Sequence, residues 1–379
     1  MKKIFVVLIC FLFINVKAET LAPNSKSAIL IEASTGEILY EHNSHEKLEP
    51  ASMTKMMSLL LVMEALEKGV ITWDQIVTVS SNASGMGGSQ ILLETNEKMS
   101  VEDLVKGVSI ASGNDAIVAL SEVIAGTEEN FVDMMNKKAK EIGLKDTNFK
   151  NCHGLDSEGH YSSAHDMAMI AKELVKYEKI LEYTSIYETY LREGTKRKLW
   201  LVNTNKLVRF KDGVDGLKTG YTKNAGYCLT ATMKRDNMRV IATVMGEPDS
   251  STRNSEVSSM LDYAYSIVGM KTIINKGDIV DIVELSKANK KIEIVPINDV
   301  NVLYKKVDGK VNPKTEIKLN NIKLPIKVGD VVGKLYTYNN GKLVNTTNLT
   351  VKDNIEKCNI LELYLKNLKD IVVGNIKVK

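Results

Sequence analysis

Pro50-Ala51-Ser52-Met53-Thr54-Lys55-Met56-Met57-Ser58-Leu59-Leu60-Leu61-Val62-Met63 is the stretch whose reading decides the fold. It predicts a helix from Ser52 to about Lys68, closed by Gly69. The body of this helix is apolar nearly all round, so it belongs in the middle of a domain. A serine at its start is therefore held rigidly, and Lys55, three residues on, shares its face. A serine hydroxyl is a weak nucleophile until a base takes its proton. Lysine serves as that base only where its pKa falls, and burial or a second nearby cation brings that about. Thr54 faces elsewhere and reads as structural.

Two further motifs follow in order. Ser112-Gly113-Asn114 breaks two helical patterns, at 101–108 and 115–125, and Lys218-Thr219-Gly220 lies in a strand from Gly216 to Tyr221. No single piece is diagnostic, but the ordered trio outlines acyl transfer. Ser52 attacks a carbonyl, Lys55 takes its proton, and Ser112 relays a proton to the leaving amine. Asn114 holds the substrate amide or Lys55. Lys218 supplies the second cation if the late strand packs against the helix. Backbone N–H groups of Ser52 and of the residue after Gly220 form an oxyanion hole, worth ~3–4 kcal/mol per donor. Lys218, Thr219 and Arg253 are candidates to bind a substrate carboxylate. Gly220 has no side chain to keep substrate backbone from the strand edge.

The chain also holds decoys. Ser44-His45-Glu46-Lys47 fits the same serine-lysine spacing, but it sits in a polar segment before Pro50, where its lysine stays solvated. Ser80-Ser81-Asn82 repeats the second motif without a helix-to-helix break. His153, in Asn151-Cys152-His153-Gly154-Leu155-Asp156, either touches the site or organises a turn, and the turn is the reading taken here.

Outward from the motifs, the 379 residues, 44% of them hydrophobic, suggest about two domains. With 50 basic and 47 acidic residues and a net charge of +3, no basic patch marks a nucleic-acid binder. Lys2 and Lys3, an apolar run from Ile4 to Val16 and a small-residue site at Val16-Lys17-Ala18 read as a cleaved secretory signal over 1–18. Cys152, Cys228 and Cys358 make no disulfide framework, and no Cys/His pattern suggests zinc. Neither a metal nor a cofactor is expected.

Early strands (Ala28–Ile31 and Glu37–Tyr40), a helical middle (with further helices near 129–142 and 165–177) and late strands (Tyr227–Met233 and Met238–Met245) fit an α+β domain. Its sheet is assembled from both ends of that part of the chain, and a helix from Ser255 to Val268 closes it. Residues 79–90 read as a Ser- and Gly-rich loop flanking the site. From 276 to 353, short β-prone runs between turns suggest a separate β-sandwich without a catalytic constellation. In the tail, Leu361, Tyr364, Leu365, Leu368, Ile371 and Val372 share one helical face. That helix either packs on the β domain or lies on a membrane surface, and it is too polar to span a bilayer.

At these residues the chain resembles the penicillin-recognising serine D,D-peptidases, and more closely the low-molecular-mass penicillin-binding proteins, the D-alanyl-D-alanine carboxypeptidases of peptidase family S11. Pro50 to Met57, Ser112 to Ala116, Asn151 with His153 to Asp156, Tyr161 to Ala168 and Val214 to Thr222 are similar to family segments. The family often has arginine at the His165 position. The resemblance covers about 25–270. It implies a penicillin-binding fold followed by a small β domain and a membrane-anchoring amphipathic helix over 355–373, on the outer face of the cytoplasmic membrane. It implies that Ser52 is acylated by the penultimate D-alanine of a peptidoglycan stem peptide, that β-lactam antibiotics enter by the same route, and that the second oxyanion donor is the Tyr221 N–H. Arg253 falls where the family binds a carboxylate.

A class A β-lactamase would need Glu-x-x-Leu-Asn between the second and third motifs. Glu188-Thr189-Tyr190-Leu191-Arg192 is a near miss, ending in arginine. The Tyr-x-Asn of a class C enzyme is also absent from that interval. A D,D-endopeptidase cutting cross-links and a non-catalytic wall-binding protein remain as alternatives, and intact Ser52, Lys55, Ser112 and Lys218 speak against the second.

Overall fold

The computed structural model describes residues 20–309, 312–339 and 341–372. The expected signal at 1–18 and the last residues of the tail lie outside them. Five antiparallel strands form the central sheet, in the order Ile38–His42, Ser27–Glu32, Met238–Glu247, Gly226–Arg235, Val214–Thr222. Two early strands thus join three late ones, as expected.

Alternation assigns each strand residue to one of two cores. Ala28 and Leu30 pack with Leu229, Ala231, Val240 and Ala242 on one face, beneath the helix Ser250–Ile267. Ile29, Ile31, Ile241 and Met245 point the other way, into the large helical core, where Ala164–Leu174 crosses the sheet. With helices on both faces, the middle strands are apolar in both registers.

The helix Lys55–Glu67 runs through the centre of that core and packs against Ala164–Leu174 and Asn114–Ala125. Each large apolar side chain buried this way contributes roughly 1.5–3 kcal/mol. One boundary differs from expectation. Ala51–Thr54 is a turn of 3₁₀ helix, and the α-helix starts only at Lys55. Ala51 holds a φ of 47°, a conformation that helical periodicity does not anticipate.

The expected loop at 79–90 contains one short helix, Ser81–Ser84, capped by the Ser80 side chain. The helix expected from Ser255 begins five residues earlier, at Ser250, because Asp249 caps it by accepting from the Ser251 and Thr252 N–H groups at 2.8 Å. Beyond Val268–Ile274, which pairs with Val300–Lys305, a five-stranded sheet runs in the order Asp281–Val283, Ile292–Pro296, Lys342–Val351, Gly333–Asn339, Lys314–Leu319. It has its own core around Ile292, Ile294, Leu335 and Leu349. The tail helix Ile360–Val372 leaves Leu361, Tyr364, Leu365 and Leu368 exposed.

Candidate active site

Ser52 sits in the 3₁₀ turn, and Lys55 is the first residue of the α-helix. The Lys55 side chain is fully buried. Its Nζ donates to Ser52 Oγ at 2.9 Å, to Asn114 Oδ1 at 2.6 Å and to the His153 carbonyl at 2.6 Å. All three ammonium protons are thus directed at oxygen, and no carboxylate is among the acceptors. Burial pushes the pKa of Lys55 down to about 7, against weaker opposing effects of Cys152 and Asp115. An amine neutral near pH 7 and within hydrogen-bond reach of a hydroxyl is equipped to accept its proton.

Each acceptor is held by its own neighbourhood. Asn114 opens the helix Asn114–Ala125, and its Nδ2 donates to the Gly87 carbonyl at 2.7 Å. Asp115 accepts from the Ile91, Leu93 and Ala116 N–H groups at 2.8–3.1 Å, tying the loop at 85–97 to the start of that helix. Ser112 ends the helix Val101–Ala111 in the left-handed region, at φ 62° and ψ 31°, which side chains other than glycine adopt only at a cost of roughly 1–2 kcal/mol. Its Oγ is buried and has no hydrogen-bond partner among the described residues.

The third motif lies on the edge strand Val214–Thr222, which packs against the 3₁₀ turn. Lys218 is 1% exposed and donates to the Thr219 carbonyl at 3.0 Å. Burial first, then the charges of Lys55 and Arg253, hold it well below the ordinary lysine range. Of the two expected causes, burial is the one that lowers Lys55, while the repulsion between the two lysines is felt at Lys218. Two buried ammoniums that feel each other's charge resist being charged together, whichever loses its proton first.

Gly220 has a second reason to lack a side chain. A Cβ there would lie 2.8 Å from the Pro50 carbonyl and 3.1 Å from Ala51 Cβ, so the missing side chain seats the strand on the nucleophile turn. Thr219 Oγ1 donates to Thr204 Oγ1 at 2.7 Å. The Tyr221 ring lies 4.3 Å from that of Tyr227 and is exposed.

Ser52, Ser112, Thr219, Gly220, Tyr221 and Arg253 all line one open cleft of about 480 Å³. Lys55, Asn114 and Lys218 stand behind its wall. Arg253 is 5% exposed, and its Nε and Nη2 donate to Asn254 Oδ1 at 3.2 and 2.9 Å. All nine candidate residues therefore converge.

The decoys do not join them. Ser44 donates to Glu41 Oε2 at 2.6 Å, and the Lys47 ammonium lies over the Tyr161 ring near Asp146, at the surface. Sequence reasoning missed the part played by residue 153, which acts through its main chain. Its imidazole, pushed down to about 3 by burial, accepts from the Leu155 N–H at 3.2 Å and faces Glu128 at 3.4 Å. The turn reading is right for the side chain, while the carbonyl holds Lys55. Thr54 is structural, 2.8 Å from His160 Nε2. The three cysteines among the described residues are free.

Residues 15–249 match the family described as D-alanyl-D-alanine carboxypeptidase, and residues 269–357 match the C-terminal domain of penicillin-binding protein 5. The chain is 48% identical to the D-alanyl-D-alanine carboxypeptidase DacF of Bacillus subtilis (strain 168) over 356 residues, covering 93% of this chain and 92% of that one. Among solved structures, penicillin binding protein 5 from Haemophilus influenzae aligns with a TM-score of 0.69 at 32% identity, over 88% of this chain and 98% of that one. Penicillin-binding protein D2 from Listeria monocytogenes, in its cefotaxime-bound form, aligns with a TM-score of 0.58 at 29% identity, over 64% of this chain and 97% of that one. With its serine, buried lysine and edge strand converging on one cleft, this chain belongs to the D-alanyl-D-alanine carboxypeptidase family.

Proposed function

We propose that this protein is a serine D,D-carboxypeptidase that removes the terminal D-alanine from peptidoglycan stem pentapeptides through an acyl-enzyme on Ser52. The observation that carries the reading is the buried Lys55 ammonium at 2.9 Å from Ser52 Oγ. Neutral Lys55 takes the hydroxyl proton as Oγ bonds to the carbonyl carbon of the penultimate D-alanine. The Ser52 and Tyr221 N–H groups receive the oxyanion. The C–N bond then breaks, and a proton passes through Ser112 Oγ to the departing amine, which leaves as D-alanine. Water next attacks the ester and gives a proton to Lys55, which passes it to Ser52 Oγ as the ester C–O bond breaks, releasing the shortened stem and restoring the hydroxyl and the neutral amine. Lys218, Thr219 and Arg253 hold the terminal carboxylate, and Asn114 holds the amide on the acyl side. A β-lactam enters by the same route, its ring amide taking the place of the scissile bond.

An exported location fits this substrate, with 1–18 as a cleaved signal, 25–270 as the catalytic unit, 276–353 as a spacer and 355–373 as a peripheral membrane anchor. The support for the anchor is the exposure of Leu361, Tyr364, Leu365 and Leu368 on the tail helix. No helix among the described residues is long and apolar enough to cross a membrane. Truncation after Cys358 is expected to abolish flotation with anionic lipid vesicles, and unchanged flotation would overturn the anchor.

Incubation with a fluorescent penicillin, followed by mass spectrometry of the adduct, tests the nucleophile. A parallel assay for D-alanine released from a pentapeptide separates carboxypeptidase from endopeptidase and wall-binding protein. Ser52→Ala is expected to abolish both signals and Ser44→Ala neither. An adduct on any other serine would overturn the assignment.

A further inference from the structure

Asp156 lies close to the nucleophile, and three contacts place it. A Cβ on Gly154 would lie 3.0 Å from the Ser52 nitrogen, and Asp156 is two residues further on, at most about 7 Å along the chain. A Cβ on Gly88 would meet both Asn114 Nδ2, at 2.8 Å, and Leu155 Cδ2, at 3.6 Å. The residue before Asp156 thus shares a neighbourhood with the side chain assigned to the amide on the acyl side. Asp156 Oδ1 accepts from Thr222 Oγ1 at 2.8 Å, and Thr222 follows Tyr221 on the edge strand Val214–Thr222. Along that strand Thr219, bonded to Thr204, stands before Tyr221 and Thr222 stands after it. Asp156 and the residues assigned to the terminal carboxylate therefore lie on opposite sides of the oxyanion donor.

The Asp156 carboxylate is positioned but unpaired. Thr222 Oγ1 accepts from the Ala225 N–H at 3.1 Å, so its own proton goes to Asp156 and fixes one oxygen. Among the described residues, the other oxygen has no hydrogen-bond partner and no cationic nitrogen lies within 4.0 Å. Asp156, Leu155 and Tyr221 are exposed. Charge is thus sorted along the cleft, with buried Lys218 and Arg253 toward the carboxylate end and an ordered, accessible carboxylate at the acyl end. The bond to Thr222 does not explain the charge, because a neutral asparagine oxygen would accept it equally well.

We propose that Asp156 is a specificity residue that pairs with the side-chain ammonium of the diamino acid preceding the penultimate D-alanine of the stem. Stems with a free amine are then preferred over stems whose amine is acylated, as it is in a cross-link. This assignment rests on the carboxypeptidase reading. The side chain in question starts one residue, about 3.5 Å, from the acylated one. It carries its amine on a stem of methylenes, which can lie along Leu155 while the charged head reaches the carboxylate. Acylation of the amine removes the charge and leaves Asp156 without its partner.

Two substrates test the pairing, a stem pentapeptide with lysine as its diamino acid and the same peptide acetylated at the lysine Nζ. The wild-type protein is expected to show a KM about threefold lower for the free-amine form at low salt. That advantage should shrink in about 0.5 M NaCl. Asp156→Asn, which keeps the acceptor for Thr222, is expected to raise the KM of the free-amine peptide to that of the acetylated one. Equal KM values for the two peptides in the wild type would overturn the pairing. So would an equal loss on both in Asp156→Asn, which is the mark of a structural role alone. A wild-type protein inert on both peptides sinks the carboxypeptidase reading instead. Calorimetric titration of Ser52→Ala with the two peptides then decides the pairing by itself. Tighter binding of the free-amine form that is lost on adding Asp156→Asn supports it, and equal or undetectable binding sinks it.

Discussion

Gly154 lies against the Ala51 carbonyl with no room for a side chain: a Cβ at 154 would sit 1.9 Å from that oxygen and 3.0 Å from the Ser52 nitrogen. Gly154 also holds a φ of 90°. The loop that offers the His153 carbonyl to Lys55 is therefore seated directly on the turn that presents Ser52. Gly154→Ala is expected to displace both. Acylation by penicillin should fall at least about tenfold, and Tm should drop by at least about 3 °C. Wild-type acylation kinetics in a stopped-flow assay would disprove this seating.

The burial of Lys55 predicts a pH profile. With its pKa pushed down to about 7, the neutral base is scarce below that pH and dominant above it. kcat/KM for the pentapeptide should rise about tenfold per pH unit below 7 and level off above it. A flat profile between pH 5.5 and 8 would remove Lys55 as the base.

Asn114 is the acceptor in this cluster whose charge is easiest to alter. Its Oδ1 lies 2.6 Å from Lys55 Nζ. Asn114→Asp places a carboxylate there and stabilises the ammonium, so the rising limb of the profile should move up by about 1–3 pH units. Activity at pH 7 should fall accordingly and recover in part at pH 9. A loss that is independent of pH would mean that Asn114 acts only on the substrate.

Glu247 predicts a stability effect of the opposite kind. It is 1% exposed, and no N–H or other fixed donor among the described residues reaches its carboxyl oxygens, so the Glu256 carboxyl is left as its hydrogen-bonding neighbour. Burial, and then Glu256, push its pKa up to about 8. The folded state thus binds a proton that the unfolded state has released, and stability falls as the pH rises from about 4.5 to about 8. Glu247→Gln, which needs no proton, should raise Tm at pH 9 by at least about 2 °C and change it little at pH 4.5. Equal shifts at both pH values would show that Glu247 is not protonated in the fold.

The order of the three motifs, the central helix, the strands and the rejection of Ser44 and Lys47 were legible in the sequence, because each depends on patterns within a few residues. An apolar run after Lys55 and a polar one around Lys47 already separate a buried ammonium from a solvated one. Tertiary structure decided what depends on distant partners. Lys55 meets Asn114 and the His153 carbonyl across 59 and 98 residues of chain, and a main-chain acceptor leaves no trace in side-chain pattern. The 3₁₀ turn at Ser52, the seating of Gly220 against Pro50 and the raised proton affinity of Glu247 arise only when separate segments are pressed together. Close packing and low polarity then set conformations and proton affinities that neither segment has alone.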